Sequence, residues 1–331
     1  MYRLTATFEI NLPSRILVSR PVDDDLTYKV KVAEFDIELR LVVEEGWSSQ
    51  LAGEPHKTFG VNKFLISAAR FEDHELPPII ITPEGHRDYS QRTPYFQERL
   101  PAYQKAVREV FERAILYFKY SLQQPHQNIN LDPQDIQNPY WTDEARQELR
   151  TGSVFFVSQI HGLQSLLSEK RFTQDEDVNF TNSLENRLAP SLHEELLSDS
   201  QTAYYEGNLR RAILELAISC EILVKQFFFA GNPIASSTFE YFEDKSPSGI
   251  KVTALIDQVA KRAFGNSFKE TNKDDYRNID FLFRCRNKIA HRGELIYRDD
   301  GNNLHNVTKD DFVQWWRSFE NLRNWLYSYR A

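Results

Sequence analysis

The chain has 331 residues, of which 41% are hydrophobic, and a net charge of -8. A prior of ~150 residues per domain divides that length into two domains with ordinary globular cores. The acidic balance excludes a protein that binds polyanions over its whole surface. No apolar run approaches the ~18 residues that span a bilayer, and the N-terminus lacks a basic-then-apolar leader pattern.

The first third reads as strands. Leu4, Ala6, Phe8 and Ile10 alternate, as do Leu26, Tyr28, Val30 and Val32, then Phe35, Ile37, Leu39, Leu41 and Val43. A period of two marks half-buried strands of an antiparallel sheet. Shorter candidates are Ile16–Ser19, Lys63–Ala68 and Ile79–Thr82, and Asp23–Asp25 reads as a solvated turn. Pro101 is expected to open a helix carrying Tyr103, Val107, Val110, Phe111, Ala114 and Phe118. These elements define a β-rich domain over 1–122 with a closing helix. Residues 123–140 are rich in Gln, Asn, Asp and Pro, lack periodicity and read as a linker. Residues 141–189 receive no assignment; Val154–Ile160 fits a strand or a buried helical turn equally.

From Pro190 onward the pattern is helical. One helix is expected from Ser191 to Glu206, and Asn208 is placed to cap the next. That helix carries Leu209, Ala212, Ile213, Leu216, Cys220, Leu223, Val224 and Phe227 on one face and ends at Gly231 and Pro233. After a loop at Ser246–Gly249, a third helix over 250–264 turns Val252, Leu255, Ile256 and Val259 inward. A fourth runs from Asp274 to Gly293. A fifth begins at Thr308, with Asp311 completing a capping box, and buries Phe312, Trp315, Phe319, Leu322 and Leu326. The fold class is therefore α+β, with an antiparallel β-rich domain followed by an all-α bundle over 190–331. The two cysteines, Cys220 and Cys285, sit in helical apolar patterns and read as buried thiols of a reducing, cytoplasmic compartment.

The charge is uneven. Residues 201–331 hold 19 Lys+Arg against 17 Asp+Glu, so the acidic excess lies in the first 200 residues. Within 276–298, Arg277, Arg284, Arg286, Lys288, Arg292 and Arg298 face only Asp280 and Glu294. That run contains Arg286-Asn287-Lys288-Ile289-Ala290-His291. Arginine offers a permanent cation with a planar donor fork suited to phosphate, and histidine exchanges a proton near neutral pH. With Ile279 at zero on a helical wheel, Leu282, Phe283, Ile289 and Ala290 fall within about 80°, and Arg286 falls at about 340°, amid the apolar stripe. A cation there is costly unless it is paired or faces a cleft. Pairing with Glu221 or Glu215 is one reading; a phosphate site is the other. His291 lies about 140° around the helix and ~7.5 Å along it from Arg286. The two meet only if the helix loosens before Gly293 or if a second copy of the chain completes the site. His291 also occupies the last turn, where a side chain can simply cap carbonyls. The remaining histidines form no H-x3-H or H-E-x-x-H spacing, and no phosphate-binding glycine loop, dinucleotide fingerprint or G-x-S-x-G is present. No metal site or cofactor is expected.

The run Leu282–His291 resembles the R-N-x-x-x-H form of the R-x4-6-H signature of HEPN domains. The upstream order, Tyr204-Tyr205-Glu206-Gly207-Asn208 leading into Ala212-Ile213 and Cys220–Leu223, is similar to the paired long helices of such domains. The resemblance covers about 190–331 and leaves the first domain unassigned. It implies a compact helical bundle, a homodimer, and metal-independent cleavage of single-stranded RNA in a bacterial defence or toxin-type system, with an antitoxin or trigger protein as a possible partner. It assigns Arg286 and His291 as the catalytic pair and Asn287 as the polar residue after the arginine. Arg284, Lys288, Arg292 and Tyr276 are candidate RNA contacts, and Glu221 is a candidate support. Some members of the family lack activity, so a non-catalytic nucleotide- or RNA-binding module and a dimerisation scaffold stand as alternatives.

Overall fold

A computed structural model of the chain describes residues 2–21, 26–49, 58–73, 75–88, 90–125, 127, 136–143, 148–150, 170–229 and 251–329. Asp23–Asp25, Val154–Ile160, Ser246–Gly249 and the end expected at Gly231 and Pro233 lie outside these residues. The described residues divide into two compact units that meet in sequence at Ala189 and Pro190.

The first unit is built on an antiparallel sheet. Strands β1 (Tyr2–Ser19), β2 (Thr27–Val32), β3 (Phe35–Ser49), β4 (Thr58–Glu72), β7 (Tyr140–Thr142) and β8 (Glu148–Arg150) stand in the order β2-β3-β4-β1-β7-β8. A small ladder of β5 (Ile80–Ile81) and β6 (Arg87–Asp88) lies apart. The alternation seen in the sequence sets the faces. Leu4, Ala6, Phe8 and Ile10 point to the core with Ile37, Leu39, Leu41, Phe64, Ile66 and Ala68. The two strands expected at 4–10 and 16–19 are one strand with a register shift between Asn11 and Ile16. Helix α1 (Arg92–Leu116), continued by a π-helical turn at Tyr117–Ser121, covers the core with Tyr103, Val107, Val110, Phe111, Ala114 and Phe118. The helix starts nine residues before Pro101, which lies inside it. Pro94 occupies its first turn, where a missing N–H costs nothing.

Residues 123–140 do not behave as a linker where they are described. Gln124 and Gln127 are buried, and their side-chain amides serve the sheet. Gln124 Oε1 accepts from the Leu17 amide at 3.3 Å and its Nε2 donates to the Lys170 carbonyl at 3.0 Å; Gln127 Nε2 donates to the Ser14 carbonyl at 3.3 Å. Trp141 of β7 is buried and stacks on Phe96. Helix α2 (Asp177–Glu185) also joins this unit. Its Asp177 receives both arms of the buried Arg20 at 3.0 and 2.6 Å, and Arg20 lies over the Phe172 ring at 4.2 Å. The unassigned region thus supplies two strands and the helix that close the first core.

Three tyrosines of this core donate to carboxylates: Tyr28 to Asp177, Tyr103 to Glu72 and Tyr117 to Glu176. Burial first, and the acceptor carboxylate with it, holds each phenol well above its ordinary range. A raised folded value contributes stability that is complete below the unfolded value of about 10 and is lost as pH rises past it. The urea midpoint should therefore fall above pH of about 10. Tyrosinate absorbance should lag by at least these three residues until the unit unfolds, whereas full titration of the folded chain near pH of about 10 would contradict this.

The second unit is helical. Helix α3 (Leu192–Tyr205) opens on a Ser191–Glu194 capping box, and Gly207, at φ 79°, turns the chain. Asn208 Oδ1 then accepts from the Arg211 amide at 3.2 Å and caps α4 (Leu209–Phe229). Helix α5 comprises Val252–Ala254, a π-helical Leu255–Val259 and Ala260–Phe264. The π-turn adds a residue to the repeat, so Ala260 is buried and Val259, expected inward, is exposed. Short α6 (Phe268–Thr271) precedes α7 (Lys273–Arg292), and a hairpin of β9 (Ile296–Arg298) and β10 (Leu304–Asn306) leads to α8 (Lys309–Tyr327). Thr308 and Asp311 form the expected capping box, and Phe312, Trp315, Phe319, Leu322 and Leu326 are buried. Cys220 and Cys285 are both buried free thiols, and burial pushes Cys285 up to about 12. Among the described residues no helix is long and apolar enough to cross a membrane.

Candidate active site on the last turns of α7

Helix α7 stays regular to Arg292 and stops at Gly293, whose φ of 68° and amide bond to the Ile289 carbonyl end it in the left-handed conformation. The helix does not loosen around His291. Because only glycine adopts this φ freely, Gly293→Ala should destabilise the helical unit by ~1–2 kcal/mol, read as a fall in thermal midpoint; an unchanged midpoint would show that the cap is dispensable.

The buried stripe of α7 is Ile279, Leu282, Cys285 and Ile289. Its centre lies about 45° away from Arg286 on the wheel, so Arg286 stands off the centre of the stripe, half-buried, while Ala290 is exposed. The expectation that Arg286 sits in the middle of the stripe is corrected on this point. The anomaly persists in another form. Glu221 pairs with Lys225 at 2.7 Å and Glu215 with Arg211 at 2.8 Å, so neither takes the arginine. Among the described residues Arg286 forms no ion pair, and its one side-chain bond runs from Nη1 to Asn287 Oδ1 at 3.2 Å.

That bond matters for the geometry. Asn287 and His291 are four residues apart, on one face of the helix, with Cβ atoms ~5–6 Å from each other. Arg286 reaches sideways to Asn287, and its guanidinium is thereby drawn toward the His291 face. Arg286 therefore leans across part of the wide angle between the two Cα positions through the length of its side chain, with the helix unbroken. Asn287 and His291 are exposed. Lys288, half-buried, and Arg292, exposed, border them and have no acid partner among the described residues.

Two expected RNA contacts are not placed for that role. Arg284 donates to the Arg298 carbonyl and to Asp300 at 2.9 Å each and also pairs with Asp280. It holds the β9–β10 hairpin against α7. Tyr276 lies 15 residues before His291, ~22 Å along the helix, half-buried with the Lys269 ammonium 5.3 Å from its ring. Arg277 is likewise met by Asp274 and Asp300. Of the six bases, Arg286, Lys288 and Arg292 on α7 remain without an acid partner among the described residues, with Arg298 of β9, whose Nη1 donates to the Asn302 carbonyl at 2.7 Å.

The hairpin itself was not foreseen. Its turn is built on Asp299, which accepts from the Asn303 amide at 2.8 Å and contacts His305 Nε2 at 3.0 Å. These bonds, led by His305, hold the Asp299 carboxyl down at about 2. The signal was present in Asp300-Gly301 followed by Asn302-Asn303, residues that favour tight turns, and Asn302 does adopt φ 64°.

Among the described residues no cluster of three or more His, Cys, Asp or Glu side chains could hold a metal. No family model matches the chain, no curated protein matches it, and no solved structure matches it.

Proposed function

We propose that the helical unit is a metal-independent endoribonuclease acting on single-stranded RNA, with Arg286, Asn287 and His291 as its working residues. The observation that carries the reading is the Arg286–Asn287 bond, which turns an arginine without an acid partner toward the face of an exposed histidine one helical turn away. The likeness of this run to the HEPN signature supports it. In the proposed reaction the ribose 2′-OH attacks the adjacent phosphorus as its proton passes to a base, and the 5′-oxygen leaves with a proton. His291 serves as base when neutral or as acid when protonated. Arg286 stabilises charge on the non-bridging oxygens, and Asn287 keeps the guanidinium in place. The products are a 2′,3′-cyclic phosphate and a 5′-hydroxyl. The β-rich unit is assigned a restraining or trigger-sensing role, and the setting a bacterial defence or toxin-type system.

A second reading is a non-catalytic RNA- or nucleotide-binding module. It is favoured by one observation: among the described residues nothing bonds to the His291 ring to orient it, as a third residue does in many catalytic constellations. The two are separated by incubating labelled single-stranded RNA with the chain in excess EDTA. Cleavage that disappears in both Arg286→Ala and His291→Ala supports the nuclease. Binding without cleavage, weakened only by Arg286→Ala, supports the module, and equal cleavage by all three chains removes the site.

A further inference from the structure

Beyond the motif, the structure brings a second arginine to the end of α7. Arg210, in the first turn of α4, donates from Nε to the Gly293 carbonyl at 3.0 Å. It is exposed and, among the described residues, meets no acid. Its neighbour Arg211 differs, being paired with Glu215. The Nε bond fixes the plane of the Arg210 guanidinium and leaves the two Nη groups to present a donor fork of the kind that grips phosphate.

The position of that fork follows from helix geometry. Arg286, Ala290 and Gly293 are spaced i, i+4, i+7 and lie along one edge of α7. Arg286 and Gly293 are thus ~10.5 Å apart along the axis. Ala290, exposed, and Gly293 carry the smallest side chains, so the surface between the two arginines stays low. His291 lies about 100° further round the helix from Ala290, on the side to which Arg286 reaches. Glu294 is the nearest acid in sequence, and no ion pair joins it to Arg210.

We infer that Arg210 is a further substrate-binding residue, which holds a backbone phosphate of the RNA strand beyond the one engaged by Arg286. The inference rests on the RNA reading above and extends it: the site takes a strand with at least two phosphates rather than an isolated phosphodiester. The sequence gives no hint of it, because 76 positions separate Arg210 from Arg286.

The test uses the full chain with His291→Ala, so that RNA is bound without being cut, and measures affinity for a mixed-sequence single-stranded RNA across a salt series. Arg210→Gln should weaken binding about tenfold and reduce the salt slope by about 0.7, the value for one phosphate of a single strand. Arg211→Gln should leave the slope unchanged. Slopes and affinities equal to the parent in a folded Arg210→Gln chain would leave Arg210 as a pin for the helix end only. If glutamine prevents folding, Arg210→Lys replaces it: a lysine keeps the charge without the fork, so weaker binding supports the inference and unchanged binding overturns it. A His291→Ala chain that binds no RNA at all would overturn the RNA reading itself, a result distinct from failure of Arg210 alone.

Discussion

Arg286→Ala and His291→Ala should each lower RNA cleavage by about 10²–10⁴-fold, and an equal mixture of the two chains should remain as inactive as either alone. The magnitude follows from what each residue is asked to supply. A positioned proton carrier contributes ~10²–10⁴ in rate, and one preorganised donor to a developing oxyanion about 10²–10³. The behaviour of the mixture follows from where the groups lie. Arg286 is bonded to Asn287, and Asn287 shares its helix face with His291, so the proposed site needs residues of one chain only. In a two-fold dimer that took the arginine from one subunit and the histidine from the other, half of the randomly paired dimers would be mixed, and each would retain one intact site of two. Activity would then return to about a quarter of wild type. That recovery would show that a second copy completes the site; its absence, with each variant still folded, supports an edge contained within one chain. Asn287→Ala adds a third measurement. It removes the acceptor that holds the guanidinium, so it should reduce kcat more than KM, whereas loss of a mere surface contact would alter neither.

What the sequence made legible was periodic. The alternation of Leu4 to Ile10 and of Ile37 to Leu41 placed the sheet faces, and the spacing of Phe312, Trp315 and Phe319 placed the buried face of α8, because burial of apolar side chains obeys the repeat of the backbone. Side-chain hydrogen bonding obeys no repeat. Gln124 and Gln127 sit in a stretch that composition marks as a linker, yet their amides take the places of strand partners beside β1. The basic patch shows a similar limit. A window ending at Arg298 counts six bases against two acids, and the next two residues, Asp299 and Asp300, fold back in the hairpin to meet Arg277, Arg284 and His305. At the site, spacing alone set Arg286 and His291 on divergent faces of α7. The reach of the arginine to Asn287 is a property of the side chain that a wheel of Cα positions does not contain.

The largest expected loss of stability lies in the first unit, at Glu72→Ala. Glu72, buried at the end of β4, accepts from Arg70 Nε at 2.7 Å, Arg99 Nε at 3.2 Å and the Tyr103 hydroxyl at 3.1 Å. The Arg99 side chain is 8% exposed and lies over the Tyr95 ring at 3.7 Å. Removing one partner of such a pair leaves an uncompensated charge away from water, at a cost of about 3–5 kcal/mol. The lower end of that range is expected here. Arg99 keeps the Tyr95 carbonyl and Glu98, Arg70 keeps Glu34, and the Tyr103 hydroxyl keeps the Leu4 carbonyl. Amide exchange at Ile66, in the strand that carries Glu72, and at Leu4 of the neighbouring β1 should report the loss as a lowered opening free energy. A change below about 1 kcal/mol would mean that water reaches the guanidinium groups and the network is not closed. The double variant Glu72→Leu with Arg99→Met distinguishes the two causes of the loss. Replacing both charges by apolar groups is often neutral where removing one is not. The double variant should therefore recover stability relative to Glu72→Leu alone if the orphaned arginine, rather than the missing contact, is what destabilises the unit.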